Sequence, residues 1–549
     1  MNISKVHIEN FKIFKGSFNI SLNKGLNILI GDNESGKSTV IEAIHLALTG
    51  LYNGRYIRND ITQYLFNNEI VDEYINNANE GKNAIKLPHV LIEIFFEGDD
   101  LYEFWGDAHS DTENKLNSFG ISLKIAFDEK YQNEYDSLIK IGEIKTLPIE
   151  YYSVFWSDFA RNEYASSKMI PIKSALIDST SNRFQNGSDI YISHIVRELL
   201  DIDDIVHISQ AHRKMKDYFL ETESIEIINE KIKTTAKITE KNIELSVELS
   251  SKNAWENSLM TYLDSVPFHQ IGKGEQCIIK TKLALGYKKA KKANVILIEE
   301  PENHLSYSKL NQLIRDIKDT NVDKQILIST HSSFVANKLW LSFLILLNNQ
   351  LSTRLNELPS KTQRFFEKLS GYDTLRLLLC KKAILVEGPS DELIVQKAFR
   401  VNNNDKLPIE KGIDVISVGT SFLRFLEIAE KINKNVSVIT DNDGNIESLE
   451  DKYKKYLNKK SNSFIKIFYD NKVDTGSLES FNYNTLEPKL LKANSLSKLN
   501  KIFNTSFDNE NLLLNFMKNN KTECALNIFE TKEELQFPQY ILDAIENVK

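Results

Sequence analysis

The sequence predicts a multidomain α/β protein. Three observations carry that expectation. Short apolar runs that read as strands alternate with helical spacing in two separate stretches. A glycine-rich loop, Gly31-Asp32-Asn33-Glu34-Ser35-Gly36-Lys37-Ser38-Thr39, follows one early run directly. A second loop, Glu387-Gly388-Pro389-Ser390-Asp391, follows another run far downstream, and Asp441-Asn442-Asp443-Gly444 comes about fifty residues later.

At 549 residues the chain is too long for one ordinary core, so two or three domains are expected. Hydrophobic residues make up 41% and charged residues 26%, a globular rather than disordered balance. Cys277, Cys380 and Cys524 lie far apart and fit neither a disulfide framework nor a zinc knuckle, which points to a reducing cytoplasm. The first residues are polar where a signal peptide needs an apolar core. The longest mainly apolar run, 339–347, is far short of the roughly 20 residues a membrane span needs, so no membrane partner is expected. A net charge of −8 does not advertise a nucleic-acid binder, but DNA contact needs only a local basic face. Lys288, Lys289, Lys291 and Lys292 form one candidate cluster, and Lys452, Lys454, Lys455, Lys459 and Lys460 another. The competing reading is that both are solvated helix ends.

Strands are expected at 3–8, 18–22 and 26–30, the last entering the glycine loop. A helix follows, with Val40, Ile41, Ile44 and Leu48 at helical spacing. Further strands are expected at 89–96 and 150–155. From 189 to 263 the pattern turns helical and proline-free, as in an inserted arm. Strands at 295–298 and 325–329, a helical bridge over 360–379, and strands at 383–386, 415–418, 436–439 and 464–468 complete the reading, with a boundary near 378.

The spacing Gly31-x4-Gly36-Lys37-Ser38, between a strand and a helix, is that of a P-loop. Its glycines let backbone N–H groups turn toward phosphate oxygens, and the helix N-terminus adds positive dipole. Lys37 is expected to reach the β- and γ-phosphates and Ser38 to ligate Mg²⁺, with Gly31, Asn33, Gly36 and Thr39 around the nucleotide. Val295-Ile296-Leu297-Ile298 delivers Glu299 and Glu300 to a strand's carboxyl end. Glu299 is assigned to the Mg²⁺ side and Glu300 to polarising the attacking water. Thr330-His331 follows the next strand and resembles the switch histidine of ABC-type ATPases. Gly272-Lys273-Gly274-Glu275-Gln276 stands where those ATPases carry their signature, although the usual form is Ser-Gly-Gly-Gln. That resemblance implies ATP shared across a dimer, with Gly274 near the nucleotide.

Glu387 and Asp391 flank a turn at one strand end, and Asp441 and Asp443 follow another. Alternate residues of a strand face one side, which would let Asp441 and Asp443 converge. Acids gathered in this way repel unless cations sit among them, and Mg²⁺ or Mn²⁺ accepts such oxygen ligands. Two ions about 4 Å apart would serve phosphodiester chemistry. Taken singly, these stretches also read as a helix cap and a turn. Together they resemble a Toprim domain.

An ABC-type ATPase followed by a Toprim domain resembles the overcoming-lysogenization-defect (OLD) family of nucleases. The resemblance implies four segments: 1–174 and 263–378 as the two parts of the ATPase, 175–262 as a helical dimerisation insertion, and 379–549 as the Toprim domain. It makes Glu387, Asp391, Asp441 and Asp443 metal ligands and matches Gly419 to a family glycine. It adds Glu479 of Ser477-Leu478-Glu479 to the metal site and assigns Lys521 to the scissile phosphate. It further implies a homodimer or larger assembly acting on DNA in anti-phage defence, with a partner protein such as a helicase or reverse transcriptase in some members. Two other functions stay open on the residues alone. One is a non-cleaving ATP-dependent DNA clamp or sensor. The other is a topoisomerase-like strand passer, which needs an attacking tyrosine near the metals.

Overall fold

The computed structural model describes residues 1–80, 86–99, 101–110, 117–141, 144–164, 167–178, 184–185, 188–189, 200–235, 244–246, 261–286, 293–331, 341–348, 350–368, 372–457 and 464–549. Two compact units divide the chain: Met1–Leu29 with Glu34–Thr330, and Ile30–Asn33 with His331–Lys549.

The first unit holds two large sheets. In the antiparallel one, β1 (Asn2–Glu9) lies between β2 (Ser17–Ser21) and β4 (Val90–Glu97). Next to β4 comes β5 (Asn117–Phe127), which also pairs with β6 (Tyr152–Asp158). A bulge between Ile3 and Lys5 resets the alternation of β1, so Ile3, Val6 and Ile8 are all buried. The sequence expectations correspond to β1, β2, β4 and β6 but omit β5.

The second sheet is parallel. Its strands run in the order β7 (Ser174–Asp178), β8 (Val295–Glu299), β9 (Gln325–Ser329), β3 (Leu26–Gly31). Apart from buried Asn27, β3 is apolar up to its terminal glycine and buried throughout, as expected of a strand covered on both faces. Helix α1 (Lys37–Thr49) buries Val40, Ile41, Ile44 and Leu48, the stripe expected from their spacing. Gln325 ties the sheets together. Its Oε1 accepts from the Ile3 N–H at 2.8 Å, and its Nε2 donates to the Ile3 and Asn23 carbonyls at 2.7 Å each.

Within the helical stretch, α2 (Ile202–Leu220) and α3 (Glu223–Thr235) are described, and 190–199, 236–243 and 247–260 lie outside the described residues. Short strands also occur near its ends, at Phe184–Gln185, Ser188–Asp189 and Tyr262–Leu263.

In the second unit, β10 (Leu344–Asn348) and β11 (Leu351–Arg354) form an antiparallel hairpin. The helical bridge is two helices, Ser360–Lys368 and α5 (Tyr372–Leu379). The main sheet is wholly parallel, in the order β13 (Ile413–Ser417), β12 (Lys382–Val386), β14 (Asn435–Ile439), β15 (Ile465–Phe468). The chain goes from β12 outward to β13 and then crosses back to β14 on the other side. Strand order therefore reverses between β12 and β14, and ligands of such sheets bind outside the carboxyl ends at that point. Helices α6 (Pro389–Val401), α8 (Leu486–Ala493), α9 (Lys521–Glu530) and α10 (Gln539–Val548) contribute to one core that includes Ile384, Val386, Phe399, Leu490 and Ile541. Arg376 of α5 fastens this layer, bonding Asp414 at 2.7 Å and Glu392 at 3.1 Å. Among the described residues, no helix is long and apolar enough to cross a membrane.

Candidate functional site

The glycine loop leaves β3 and turns into α1. Gly36 has φ +95°, and a Cβ there would stand 2.5 Å from Phe14 Cζ, so both backbone and space call for glycine. No side chain caps the α1 N-terminus. A helix N-terminus that follows a glycine loop in this way suits an anion. Lys37 is only 4% exposed, and its Nζ donates to Ser35 Oγ at 3.3 Å. Ser38 and Asn33 are exposed, Thr39 and Gly31 are buried, and the Asn33 N–H donates to the Asp32 carboxylate at 2.9 Å.

Glu299 closes β8, directly opposite Ser329 of β9. Glu300 follows with φ +42°, a left-handed conformation unusual for a side-chain-bearing residue. Its N–H donates to the Ser329 carbonyl at 3.0 Å, and its carboxylate accepts from Asn303 Nδ2 at 2.9 Å. Thr330 Oγ1 donates to Glu302 at 2.7 Å. His331 comes next in the chain and is exposed. Gly274 opens α4 (Lys273–Gly286), and a Cβ on it would lie 2.4 Å from the His304 carbonyl oxygen. Only glycine lets the signature-like helix start so close to the segment after Glu300. The P-loop, the two carboxylates and this glycine thus stand at strand ends and helix starts, where α/β folds bind their ligands.

The second group of acids gathers at the switch point of the second unit. Glu387 leaves β12, and its carbonyl accepts from the Gly419 N–H at 3.0 Å and from Ser417 Oγ at 3.3 Å. Gly419 has φ +59°, the reason glycine stands there. Asp391, in the first turn of α6, accepts from the Gly388 N–H at 2.9 Å. Burial, followed by Glu487 and Glu387, pushes the Asp391 carboxyl up to about 6. Asp441 is held well above the usual carboxylate range by burial, and then by Asp391, Glu387, Glu487 and Asp443. Glu387 is raised by burial and Asp443, against the pull of Lys452 and Lys521. These acids are electrostatic neighbours, and all are drawn toward the protonated form.

Strand alternation is not what places Asp441 and Asp443. β14 ends at Ile439, and the two acids flank a turn in which Asn442 is buried and Asp443, with φ +47°, is exposed. Asp443 accepts from Asn482 Nδ2 at 2.8 Å.

Glu479 is exposed and absent from the groups that shift Glu387, Asp391 and Asp441. Glu487, which sequence reasoning missed, does stand among those groups. Glu487 lies in the first turn of α8, is 6% exposed, and pairs with Lys521 at 3.0 Å. A Leu-Glu pair stands at both 478–479 and 486–487. The second copy carries the helix-start signals, Thr485 before it and Pro488 after it.

Lys521 opens α9 beside the acids. Burial works against its charge, but Glu487, Asp441 and Asp391 outweigh that and raise its pKa. In the lysine cluster downstream of Asp443, Lys452 lies over the Phe422 and Tyr453 rings, Lys455 pairs with Glu430, and Lys454 is 3.9 Å from Asp451. Lys459 and Lys460 lie outside the described residues, as do Lys288, Lys289, Lys291 and Lys292.

The donor set is all carboxylate oxygen, which fits a hard divalent ion. Yet no three His, Cys, Asp or Glu side chains among the described residues stand in a metal-holding arrangement.

Comparison with known proteins agrees with this division. Residues 1–336 match the AAA ATPase domain, and residues 378–443 match the Toprim domain of overcoming lysogenization defect protein-like proteins. Endonuclease GajA of Bacillus cereus (strain HuB5-5) is 22% identical over 601 aligned positions, which cover 94% of this chain and 85% of that one. The DNA replication and repair protein RecF of Vibrio campbellii is 33% identical over 88 residues, only 16% of this chain and 23% of RecF. Among solved structures, an Smc head bound to the C-winged helix domain of ScpA aligns at 17% identity and TM-score 0.33, covering 64% of this chain and 96% of that one. RecF bound to ATP aligns at 10% identity and TM-score 0.33, covering 64% and 98%. The chain belongs to the AAA ATPase domain family through residues 1–336, and behind that domain it carries a Toprim domain like that of overcoming lysogenization defect proteins.

Proposed function

We propose that the chain is an ATP-binding, divalent-metal-dependent DNA endonuclease whose ATPase part regulates cutting at the Toprim acids. One observation carries the reading: Glu387, Asp391 and Asp441 gather at the switch point near buried Glu487, which pairs with Lys521 at 3.0 Å. Similarity to an endonuclease over 94% of the chain supports it. Mg²⁺ or Mn²⁺ held by Glu387, Asp391, Asp441, Asp443 and Glu487 would stabilise the attacking and leaving oxygens of a phosphodiester. Lys521 offers a charged ammonium to the phosphate. In the ATPase, Lys37 and the α1 N-terminus bind phosphate, Ser38 and Glu299 hold the Mg²⁺, and Glu300 orients water, with His331 and Gly274 completing the site.

The proposal extends to a homodimer joined through segment 175–262, working in the cytoplasm in anti-phage defence, with or without a helicase or reverse transcriptase partner. Cys277, Cys380 and Cys524 are not joined in a disulfide, which accords with that compartment. The strand-passing alternative is disfavoured by the tyrosines at these acids. Tyr453 and Tyr540 are both buried, and burial raises both phenols, Tyr453 to about 12. That is the opposite of an exposed, activated nucleophile.

The test is nicking of supercoiled plasmid with Mg²⁺ or Mn²⁺, with and without ATP, by wild type and Glu387→Ala. Loss of nicking in the variant supports the reading. Equal nicking by both refutes the Toprim assignment, and ATP-dependent DNA binding without any cleavage by wild type favours the clamp.

A further inference from the structure

The turn that carries Asp441 and Asp443 has a left-handed, non-glycine residue at its tip. Such a backbone persists only when its surroundings over-determine it. Those surroundings are a closed circuit of hydrogen bonds, and it converges on a buried lysine.

Asn442 is 2% exposed. Its Nδ2 donates to the Asp470 carbonyl at 2.5 Å and to the Lys472 carbonyl at 3.1 Å, while its Oδ1 accepts from the Gly444 N–H at 3.0 Å. The 470–474 loop is thus the anvil against which the turn is set. Lys489, 4% exposed, sits inside that loop. Its Nζ donates to the same Lys472 carbonyl at 3.1 Å and pairs with Asp470 at 2.7 Å and Asp474 at 2.8 Å. A second path closes the circuit. Asp474 exchanges bonds with Asn484, at 2.7 Å through its N–H and 3.0 Å through its carbonyl. The Asn484 N–H donates to Asn482 at 2.9 Å, and Asn482 donates to the Asp443 carboxylate at 2.8 Å. Both Asp443 and its neighbour Asn442 are therefore tied to one loop, and the buried cation of that loop is Lys489. Lys489 shares α8 with Glu487, two residues earlier.

We propose that Lys489, acting through the 470–474 loop and Asn442, is a positioning residue that sets the Asp441–Asp443 turn against Glu487 and so assembles the metal-binding acids. The inference rests on the reading of those acids as a metal site. Helix α8 then has two tasks: Glu487 faces the acids, and Lys489 holds the loop that aims the other strand end. Solvated lysines do not do this. A buried ammonium with two carboxylates and a carbonyl cannot leave without stripping Asp470 of its cation, leaving Asp474 to the exposed Lys492, 2.7 Å away, and the Lys472 carbonyl to Asn442.

The test compares Lys489→Met, Lys489→Arg and Asn442→Ala in the full-length protein. Mn²⁺ binding is followed by electron paramagnetic resonance, and plasmid nicking is titrated with Mg²⁺. Thermal melting and nucleotide binding at Lys37 serve as controls. Lys489→Met and Asn442→Ala are expected to weaken Mn²⁺ binding and shift the Mg²⁺ midpoint upward by about 10- to 100-fold, with nucleotide binding unchanged and Lys489→Arg recovering most of the loss. If Lys489→Met does not fold, Asn442→Ala and Lys489→Arg against wild type decide the matter. Wild-type Mn²⁺ binding and nicking in folded Lys489→Met, or in Asn442→Ala, overturns the inference. Wild type that neither binds Mn²⁺ nor nicks DNA overturns instead the metal-site reading beneath it.

Discussion

Replacing Glu487 by Gln, beside the same change at Glu479, separates the acid that the fold supplies from the acid that the motif suggested. Glu487 is 6% exposed and lies 3.0 Å from Lys521, whereas Glu479 is exposed. Glutamine keeps the shape and an oxygen to accept the Thr485 hydroxyl at 3.1 Å, and it removes one charge. For folding, two consequences oppose each other. Unit charges 3.0 Å apart attract by about 1.4 kcal/mol in water and about 5.5 kcal/mol at an intermediate dielectric. Lys521 is half exposed, which places the loss near the lower figure. Against it stands the relief of repulsion on Glu387, Asp391 and Asp441. The net effect on stability is therefore within about 1 kcal/mol, a few degrees in Tm. Metal capture has no such compensation. Loss of a carboxylate at or beside the ion costs about 10- to 100-fold, or about 1.4–2.7 kcal/mol. The assay is Mg²⁺-titrated plasmid nicking, with melting in EDTA as the control for folding. Glu487→Gln is expected to lose at least about tenfold in Mg²⁺ response, and Glu479→Gln to superimpose on wild type. A crippled Glu479→Gln beside a normal Glu487→Gln refutes the reasoning.

In EDTA, Asp391→Asn is expected to raise Tm at pH 8 and to leave it near wild type at pH 4. The wild-type carboxyl, raised from 3.8 to about 6, favours the folded state when protonated, and its ionisation costs about 3 kcal/mol once the pH passes 6. Melts at the two pH values check the sign. Gly274→Ala places a methyl 2.4 Å from a backbone oxygen that has no rotamer to escape into. ATP turnover should fall by about 100-fold while P-loop nucleotide binding is kept, measured by phosphate release against fluorescent-nucleotide binding. Lys37→Ala should lose nucleotide binding, and Glu300→Gln should bind ATP without turning it over. Wild-type hydrolysis by Glu300→Gln would show that its role is misassigned.

How far the sequence could be read depended on whether the signal was local. Strands β8, β12 and β14 were legible because a strand covered on both faces is apolar nearly throughout, with Ser437 of β14 a buried exception. The loops after them were legible because phosphate cradles and carboxylate pairs need particular residue types at particular spacing. β5 was missed although Ile121-Ser122-Leu123-Lys124-Ile125 alternates cleanly, because Gly120 and the polar residues before it read as a loop. The order β13-β12-β14-β15 comes from pairings between distant segments, and no local pattern encodes it. Glu487 was lost to Glu479 for a similar reason: both follow leucine, and only the buried start of α8 distinguishes them.

Both candidate sites place a functional carboxylate on a left-handed residue that is not glycine: Glu300 at φ +42° and Asp443 at φ +47°. In each case the backbone conformation opposes the side chain that occupies it, and neighbouring asparagines hold it there, Asn303 on Glu300 and Asn482 on Asp443. If that conformation is maintained for the carboxylate, removing the carboxylate should make it a liability. At Asp443 the comparison is clean, because Gly and Ala both lack the acid and the Asn482 bond, and differ only in tolerance of positive φ. Left-handed backbone costs a residue with a Cβ roughly 1–2 kcal/mol. The greater freedom of unfolded glycine returns about 0.4–1 kcal/mol of that. Asp443→Gly should therefore be more stable than Asp443→Ala by about 0.5–1 kcal/mol, and both should lose metal response equally. An Asp443→Ala variant as stable as Asp443→Gly in urea would mean that the turn relaxes once the acid is gone. The circuit through Asn442 and Lys489 would then be holding the side chain and not the backbone.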